Sequence, residues 1–294
     1  MKKIVILGCG FVGARATRLF SQAGWEVVGV TRSAGSAARL AGEPYRVLAC
    51  DITNPASLSA AKPLLDADTV ISAVSSGRGG EKEYREVYLR GLQNAISCLN
   101  PRRVLFIGST SVYAQNDGSW VTEESPAEPL SATSRVLREA ENLALGHGGI
   151  VARLAGIYGP GRSVLLRRFI EGTAVIEGDG SRHTNQIHAD DAARALLHLI
   201  TLDLPTGIYN VADGQPLTQL AFYQWLAAHL GQPLPPRGPV ESHRKRGLTD
   251  KRVSNAKLRS LGWTPRYPSF QEAVTRDGAL LAAARGGESD DARP

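Results

Sequence analysis

The sequence is poor in cysteine: there are three in 294 residues, Cys9, Cys50 and Cys98, and no C-x-x-C pair. This excludes a disulfide-stapled scaffold and fits a reducing compartment with small buried thiols. The six histidines show no metal-ligand spacing, so no metal site is expected. No apolar run approaches the roughly 20 residues that cross a bilayer, which leaves no membrane role. The net charge is +6, yet Lys and Arg are scattered rather than striped. Helix-turn-helix, zinc-finger and aromatic–basic patterns are missing, which argues against nucleic acid as a partner. The basic balance suits small anionic ligands instead. Internal repeats are absent too. Met1-Lys2-Lys3 and the apolar run after it look like the start of a leader. That run is too short for a leader's core, and cleavage before Cys9 would destroy the glycine motif described next. The expected location is therefore cytoplasmic.

What is present begins with 43% hydrophobic residues, enough for a globular core, in a chain long enough for one large α/β unit or two interleaved ones. Residues 3–33, KIVILGCGFVGARATRLFSQAGWEVVGVTRS, carry the most information. Residues 4–7 form a short apolar run, as in a strand buried on both faces. Gly8-Cys9-Gly10-Phe11-Val12-Gly13 follows at once, then a helical spacing of Ala14, Leu19, Phe20 and Ala23, a stop at Gly24, and a second strand over 25–30. A G-x-G-x-x-G between a strand and a helix is a dinucleotide-binding turn. Gly8 permits the tight turn, Gly10 lets backbone approach a pyrophosphate at the helix N-terminus, and Gly13 allows close helix–strand packing. Phe11 and Val12 lie in the same turn. Cys9 is either a thiol activated by that helix N-terminus or a small residue that fits the turn.

The end of the second strand distinguishes the two common dinucleotides. An NAD site carries an acidic residue there for the ribose hydroxyls. Here the residues are Thr31-Arg32-Ser33. Arg32 can pair with a 2′-phosphate that the hydroxyls also bond, which favours NADP(H) over NAD(H). The alternative is a solvated surface arginine. Asp51 and Ile52 follow a third strand at 45–49, where Asp51 can accept from an adenine amino group or cap the next helix. A fourth strand within 68–74 leads through Ala73-Val74-Ser75 into small residues that can pass close to the cofactor. A long helix over 81–99, a fifth strand at 103–108, a helix at 131–146 and a sixth strand at 150–154 complete the alternation. The fold class expected is α/β, a Rossmann-type doubly wound parallel sheet with a smaller interleaved C-terminal substrate part. Residues 1–155, completed by about 188–212, form the dinucleotide-binding domain. Residues 156–187 and 213–284 form the smaller part, with a mobile Pro-rich basic loop over 232–252 and a disordered tail at 285–294.

Six motifs now stand in order: GCGFVG, Asp51-Ile52, STSVY (109–113), RLAGIYGPGR (153–162), IHADD (187–191) and YNVADG (209–214). On these the sequence resembles the extended short-chain dehydrogenase/reductases, the NAD-dependent epimerase/dehydratase family, over most of its length. The resemblance implies a nicotinamide cofactor in the N-terminal domain and a small-molecule substrate in a cleft closed by the C-terminal part. It also implies a homodimer through two long helices. Relatives act on nucleotide sugars, ketones and other small alcohols or carbonyls. Their chemistry uses a Ser or Thr together with a Tyr and a Lys in Tyr-x-x-x-Lys spacing.

This chain departs from that pattern at its centre. Ser109 matches the Ser/Thr position. Judged from the run Pro129-x-Ser131-x-x-x-Arg135-x-x-x-Glu139, the Tyr position is Ser131 and the Lys position Arg135. A serine hydroxyl is far less acidic than tyrosine, and a guanidinium stays charged near neutral pH. Arg135 can still hold the nicotinamide ribose. Tyr113 is a candidate replacement acid, as are Tyr84, Tyr88, Tyr158 and His188, each of which is otherwise a buried or cleft-lining residue. For an anionic substrate the candidates are Arg153, Arg162 and Arg252, with His188 beside them. Two functions follow. The chain is an NADP(H)-dependent oxidoreductase or epimerase-like enzyme on a small carbonyl or nucleotide sugar. Alternatively, it is a non-catalytic NADP(H)-binding redox sensor, for which the missing Tyr and Lys argue.

Overall fold

The computed structural model describes residues 2–77, 79–240 and 249–286. Seven strands form one large parallel sheet: β1 (Lys3–Leu7), β2 (Glu26–Thr31), β3 (Arg46–Ala49), β4 (Thr69–Ser72), β5 (Arg103–Ser109), β6 (Ile150–Leu154) and β7 (Gly207–Val211). Their order is β3-β2-β1-β4-β5-β6-β7. The pairs β1/β2, β2/β3, β1/β4 and β4/β5 are parallel, with Val5 opposite Val28 on one side and Val70 on the other. Ile4, Val5, Ile6 and Leu7 are fully buried, as their unbroken apolar run requires of a central strand. The order reverses between β1 and β4, and in doubly wound sheets ligands bind at the carboxyl ends of strands at such a point.

The helices alternate with the strands: α1 (Gly13–Gln22), α2 (Ala34–Ala38), α3 (Pro55–Ala61), α4 (Gly91–Leu99), α5 (Ala132–Gly146) and α6 (Ala189–Thr201). The single long helix expected over 81–99 is three segments: Glu81–Tyr84, a π-helical Arg85–Arg90, and α4. At the junction Gly91 faces Ile52 so closely that a Cβ there would lie 2.7 Å from Ile52 Cδ1. No helix among the described residues is long and apolar enough to cross a membrane.

Two compact units divide the chain. The first holds residues 1–112, 127–153 and 192–209, and the second holds 113–126, 154–191 and 210–294. The assignment of 113–126 to the second unit has a local cause, since Trp120–Val121 pairs in parallel with Arg252–Val253. The first unit's core includes Val5, Leu7, Val28, Val30, Leu58 and Val70. The second is built on Tyr158, Phe169, Phe222, Tyr223, Tyr267 and Phe270 among others. Three helices of the second unit, Ala256–Ser260, Phe270–Arg276 and Gly278–Arg285, have no counterpart in the sequence reading. Residues 241–248 of the expected mobile loop, and 287–294 of the expected tail, lie outside the described residues.

The second unit contains a carboxyl with a consequence for stability. Asp213 is 4% exposed. Burial pushes its carboxyl up to about 7, although the Gln215 amide donates to its Oδ1 at 3.0 Å. The folded chain therefore keeps a proton that the unfolded chain, with an Asp near 3.9, has already released. The stabilisation from this group is complete below about pH 4 and is lost as the pH rises toward 7. We expect Asp213→Asn to flatten that part of the profile, with the variant gaining on the wild type in urea midpoint between about pH 4 and 7. Parallel profiles for the two proteins would remove Asp213 from the pH dependence.

Candidate functional site

The glycine turn sits at the carboxyl end of β1, where the strand order reverses. Gly8 has φ +96°, in the region that favours glycine, and a Cβ on it would lie 2.7 Å from Ala73 O and Val74 Cα. The Ala73-Val74 backbone is thus packed on the turn itself, with the Ala73 amide donating to Leu7 O at 2.7 Å. At Gly13 a Cβ would fall 1.9 Å from Gly8 O, so α1 approaches the turn as closely as backbone can. Gly10 is different, because a Cβ there meets nothing within 4 Å and the residue is exposed. Val12 heads α1 with no side-chain cap and no acidic residue in the first turn, so its amide end keeps its positive character. Phe11 carries the Arg15 guanidinium over its ring at 4.2 Å. Cys9 lies inward, with its Sγ 3.5 Å from Thr17 Oγ1, and burial pushes its thiol up. The activated-thiol alternative is therefore set aside, and Cys9 is a small residue that fits the turn.

At the end of β2, Thr31 is buried while Arg32 and Ser33 are exposed. Ser33 caps α2, its Oγ accepting from the Ser36 amide. Ser36 Oγ also accepts from Arg39 Nη2 at 3.0 Å. Ser33, Ser36 and Arg39 therefore form one hydrogen-bonded cluster that follows the exposed Arg32 in the chain. Neither Ser36 nor Arg39 belongs to a motif singled out in the sequence, and they stand three residues apart at α2. Asp51 Oδ1 accepts from Thr53 N and Thr53 Oγ1 at 3.0 and 2.8 Å, and Asn54, not Asp51, caps α3. Ile52 is buried under Gly91. Ser75 Oγ accepts from the Gly77 amide at 3.2 Å.

The catalytic candidates Ser109, Ser131 and Arg135 lie in the first unit. Ser109 ends β5 and its Oγ accepts from the Ser111 amide at 3.2 Å. Ser131 caps α5, its Oγ accepting from the Ser134 amide and donating to Ser134 Oγ at 2.9 Å. Arg135 is exposed on the first turn of α5, with Nη1 on Leu130 O at 2.8 Å. Tyr113 belongs to the second unit, fully buried, and its hydroxyl donates to Asn210 Oδ1 at 2.9 Å. None of the eight tyrosines stands four residues before a lysine. Glu139, which set the register of the helix pattern, is exposed and pairs with Arg85 at 2.6 Å. The buried acid of α5 is Glu141, two residues further on. A register drawn on Glu141 would place Thr133 and Leu137 at the two positions, which again supplies neither tyrosine nor lysine.

Of the substrate candidates, Arg153 lies in the first unit and Arg162, His188 and Arg252 in the second. Arg153 is 1% exposed and held by Glu141 through Nε and Nη2 at 3.0 and 2.7 Å, an internal ion pair of the first unit rather than an anion-binding group. Arg162 closes a two-residue bridge with Gly159. His188 is fully buried, its Nδ1 accepting from the Asp190 amide and its Nε2 3.3 Å from Asp277 Oδ2, and burial pulls its pKa down. That arrangement describes a neutral ring pinning the cap of the helix Gly278–Arg285. Arg252 lies over Trp120 at 5.2 Å and donates from Nε to Gly118 O at 2.7 Å. A cavity of about 270 Å³ in the second unit is lined by Asn116, Glu177, Asp179, Ser181, Arg182 and Asp250 among others. Beside it His183 Nδ1 lies 2.8 Å from Asp250 Oδ1. Glu177, Asp179, Arg182 and Asp250 carry the charge in this cavity, and no functional motif in the sequence singled them out.

Comparison with known proteins follows the same lines. The sequence pattern of the NAD dependent epimerase/dehydratase family matches residues 4–212. Protein YeeZ of Escherichia coli K12 is 30% identical over 277 residues, spanning 91% of this chain and 97% of YeeZ. A Methylobacillus flagellatus structure assigned as an NAD-dependent epimerase/dehydratase shares 31% identity with a TM-score of 0.78, covering 97% of this chain and 99% of that one. The fold alone is shared with the dTDP-glucose 4,6-dehydratase DesIV of Streptomyces venezuelae, solved with NAD and TYD bound. There the identity is 21% and the TM-score 0.80, with 97% of each chain covered.

Proposed function

The chain belongs to the NAD-dependent epimerase/dehydratase family, and from that premise we propose that it is an NADP(H)-binding oxidoreductase or epimerase acting on a small carbonyl or nucleotide-sugar substrate. The observation that carries this reading is the open space over Gly10, between two glycines whose Cβ positions are filled by backbone. A turn that needed glycine for packing alone would have no reason to leave that position open. The space fits a pyrophosphate, with the uncapped amide end of α1 supplying the positive potential. Arg32, Ser33 and Ser36, with Arg39 behind Ser36, supply the charge and hydroxyls that a ribose 2′-phosphate takes. When bound, the nicotinamide supplies or accepts hydride at the substrate carbon. The chain's own part is to orient the substrate oxygen through Ser109 and to hold the cofactor ribose near Arg135.

Titration with NADPH, NADP⁺, NADH and NAD⁺ tests the reading. A ligand at one hundred times its dissociation constant adds about 2.7 kcal/mol to stability, visible as a rise in melting temperature. We expect the two phosphorylated forms to be preferred, and Arg32→Ala to remove roughly tenfold or more of that preference, a loss of about 1.5–3 kcal/mol for a charge-assisted bond. Equal stabilisation by all four nucleotides would overturn the NADP(H) assignment. Gly10→Ala is the sharper test of the turn. Its Cβ meets no protein atom, so we expect an unchanged melting temperature without ligand and a loss of at least tenfold in cofactor affinity, about 1.4 kcal/mol. Undiminished affinity in that variant would place the cofactor elsewhere.

The second reading is a redox sensor without turnover. The exposed Arg135 and the capping Ser131, at the positions where the sequence pattern expects the lysine and the tyrosine, favour it. It requires that NADPH and NADP⁺ shift a partner's affinity by different factors while no carbonyl is reduced.

A further inference from the structure

Resting on the oxidoreductase reading, we propose that Ser131, Ser134 and Ser111 form a hydroxyl relay that delivers the proton a tyrosine would otherwise donate. The three hydroxyls lie in one file of the first unit. Ser131 Oγ donates to Ser134 Oγ at 2.9 Å, and Ser134 Oγ donates to Ser111 Oγ at 3.1 Å. The start of the file is fixed, because Ser131 Oγ also accepts from the Ser134 amide at 3.2 Å as the cap of α5. The delivering end is placed by the chain, since the Ser111 amide donates to Ser109 Oγ at 3.2 Å. The middle hydroxyl is 6% exposed, whereas Ser111 is exposed and Ser131 half-buried. The file therefore has two wet ends and a dry link.

A single serine cannot replace tyrosine as an acid, because its hydroxyl holds its proton far more tightly than the phenol, with its pKa near 10. A file avoids the difficulty. Each hydroxyl accepts one proton as it gives up another, so none bears a full charge for long. As the carbonyl carbon takes hydride, its oxygen takes a proton from Ser111 Oγ. Ser111 is refilled by Ser134, Ser134 by Ser131, and Ser131 by a water molecule whose proton comes from bulk buffer. The carbonyl gains one hydride and one proton, and the serines end as they began. The donor directions along the file run this way, and oxidation of an alcohol runs the file in reverse. Ser134 is a positioning residue in this scheme, since it acts only through its neighbours.

The test uses the full chain with NADPH and 2,3-butanedione or glyoxal as carbonyl probes, comparing wild type, Ser134→Ala and Ser134→Thr. The relay predicts that Ser134→Ala lowers kcat about 100-fold, the usual size of a lost proton-transfer step, with KM and the NADPH dissociation constant unchanged. It also predicts that the multi-proton solvent isotope effect of the wild type collapses in Ser134→Ala and returns in Ser134→Thr, which restores the hydroxyl. A purely structural serine would lower melting temperature and NADPH affinity together and leave the isotope effect alone. Wild-type turnover that survives Ser134→Ala with its isotope effect intact overturns the relay and leaves the oxidoreductase reading standing. Wild-type protein that binds NADPH and reduces neither probe overturns relay and reading together, in favour of the sensor.

Discussion

Glu141→Leu is expected to destabilise the protein by about 3–5 kcal/mol, the cost of stranding a buried charge. Glu141 is fully buried on α5 and receives Arg153 at 3.0 and 2.7 Å, with Arg138 a further 3.3 Å contact on Oε2. Arg153 is 1% exposed, so without the carboxylate its guanidinium has no route to water that leaves β6 in place. The double variant Glu141→Leu/Arg153→Met should recover most of the loss, because a buried pair replaced whole by apolar groups is often neutral or stabilising. Urea denaturation of both single variants and the double gives the coupling directly. If Glu141→Leu cost less than about 1 kcal/mol, the range of an exposed pair, the pair would not be the buried tie that this geometry describes. The prediction also separates fold from function. A defect in Arg153 variants would arise from lost stability in the first unit, with the cofactor preference proposed for Arg32 unchanged.

The second large effect is Gly13→Ala. Its Cβ would sit 1.9 Å from Gly8 O and 3.3 Å from Ala73 Cβ, so α1 must move away from the turn. Overpacking of this kind costs about 1–3 kcal/mol, occasionally more. The shift also carries the helix N-terminus off the position that Gly10 exposes. We expect a melting temperature lower by several degrees, at roughly 2–4 °C per kcal/mol for a domain of this order of size, together with loss of NADPH binding. The contrast with Gly10→Ala is informative. One variant loses stability and binding together, while the other loses binding alone, although both change a glycine of the same motif. A Gly13→Ala protein that bound NADPH at wild-type strength would show that the close approach of helix and turn is not what forms the site.

The glycine turn and the elements around it were the more legible part of the sequence. Strand, turn, helix and second strand lie within thirty-odd consecutive residues, and each is specified by local spacing. The chemistry beyond it was not legible in the same way. Arg153 and Tyr113 carry groups suited to substrates, and from sequence nothing distinguished them from cleft residues. In the structure one is tied to Glu141 and the other to Asn210, partners 12 and 97 positions away. The register over α5 is not fixed by sequence for a related reason. Glu139 and Glu141 stand two apart on one helix, which places them on different faces, and only packing reveals that Glu141 is the one inside.

The sequence by itself determined the parallel α/β architecture and the glycine turn, because hydrophobic period and the need for a missing Cβ are local properties of consecutive residues. It also determined that no tyrosine precedes a lysine by four positions. Tertiary structure alone decided that Arg182 and Asp250 line a cavity and that three serines on β5's exit and α5's start form one file. Those outcomes depend on which segments the sheet brings side by side. Hydroxyl and guanidinium groups carry no directional signal in sequence, and their hydrogen bonds are settled only when the backbone on both sides is in place.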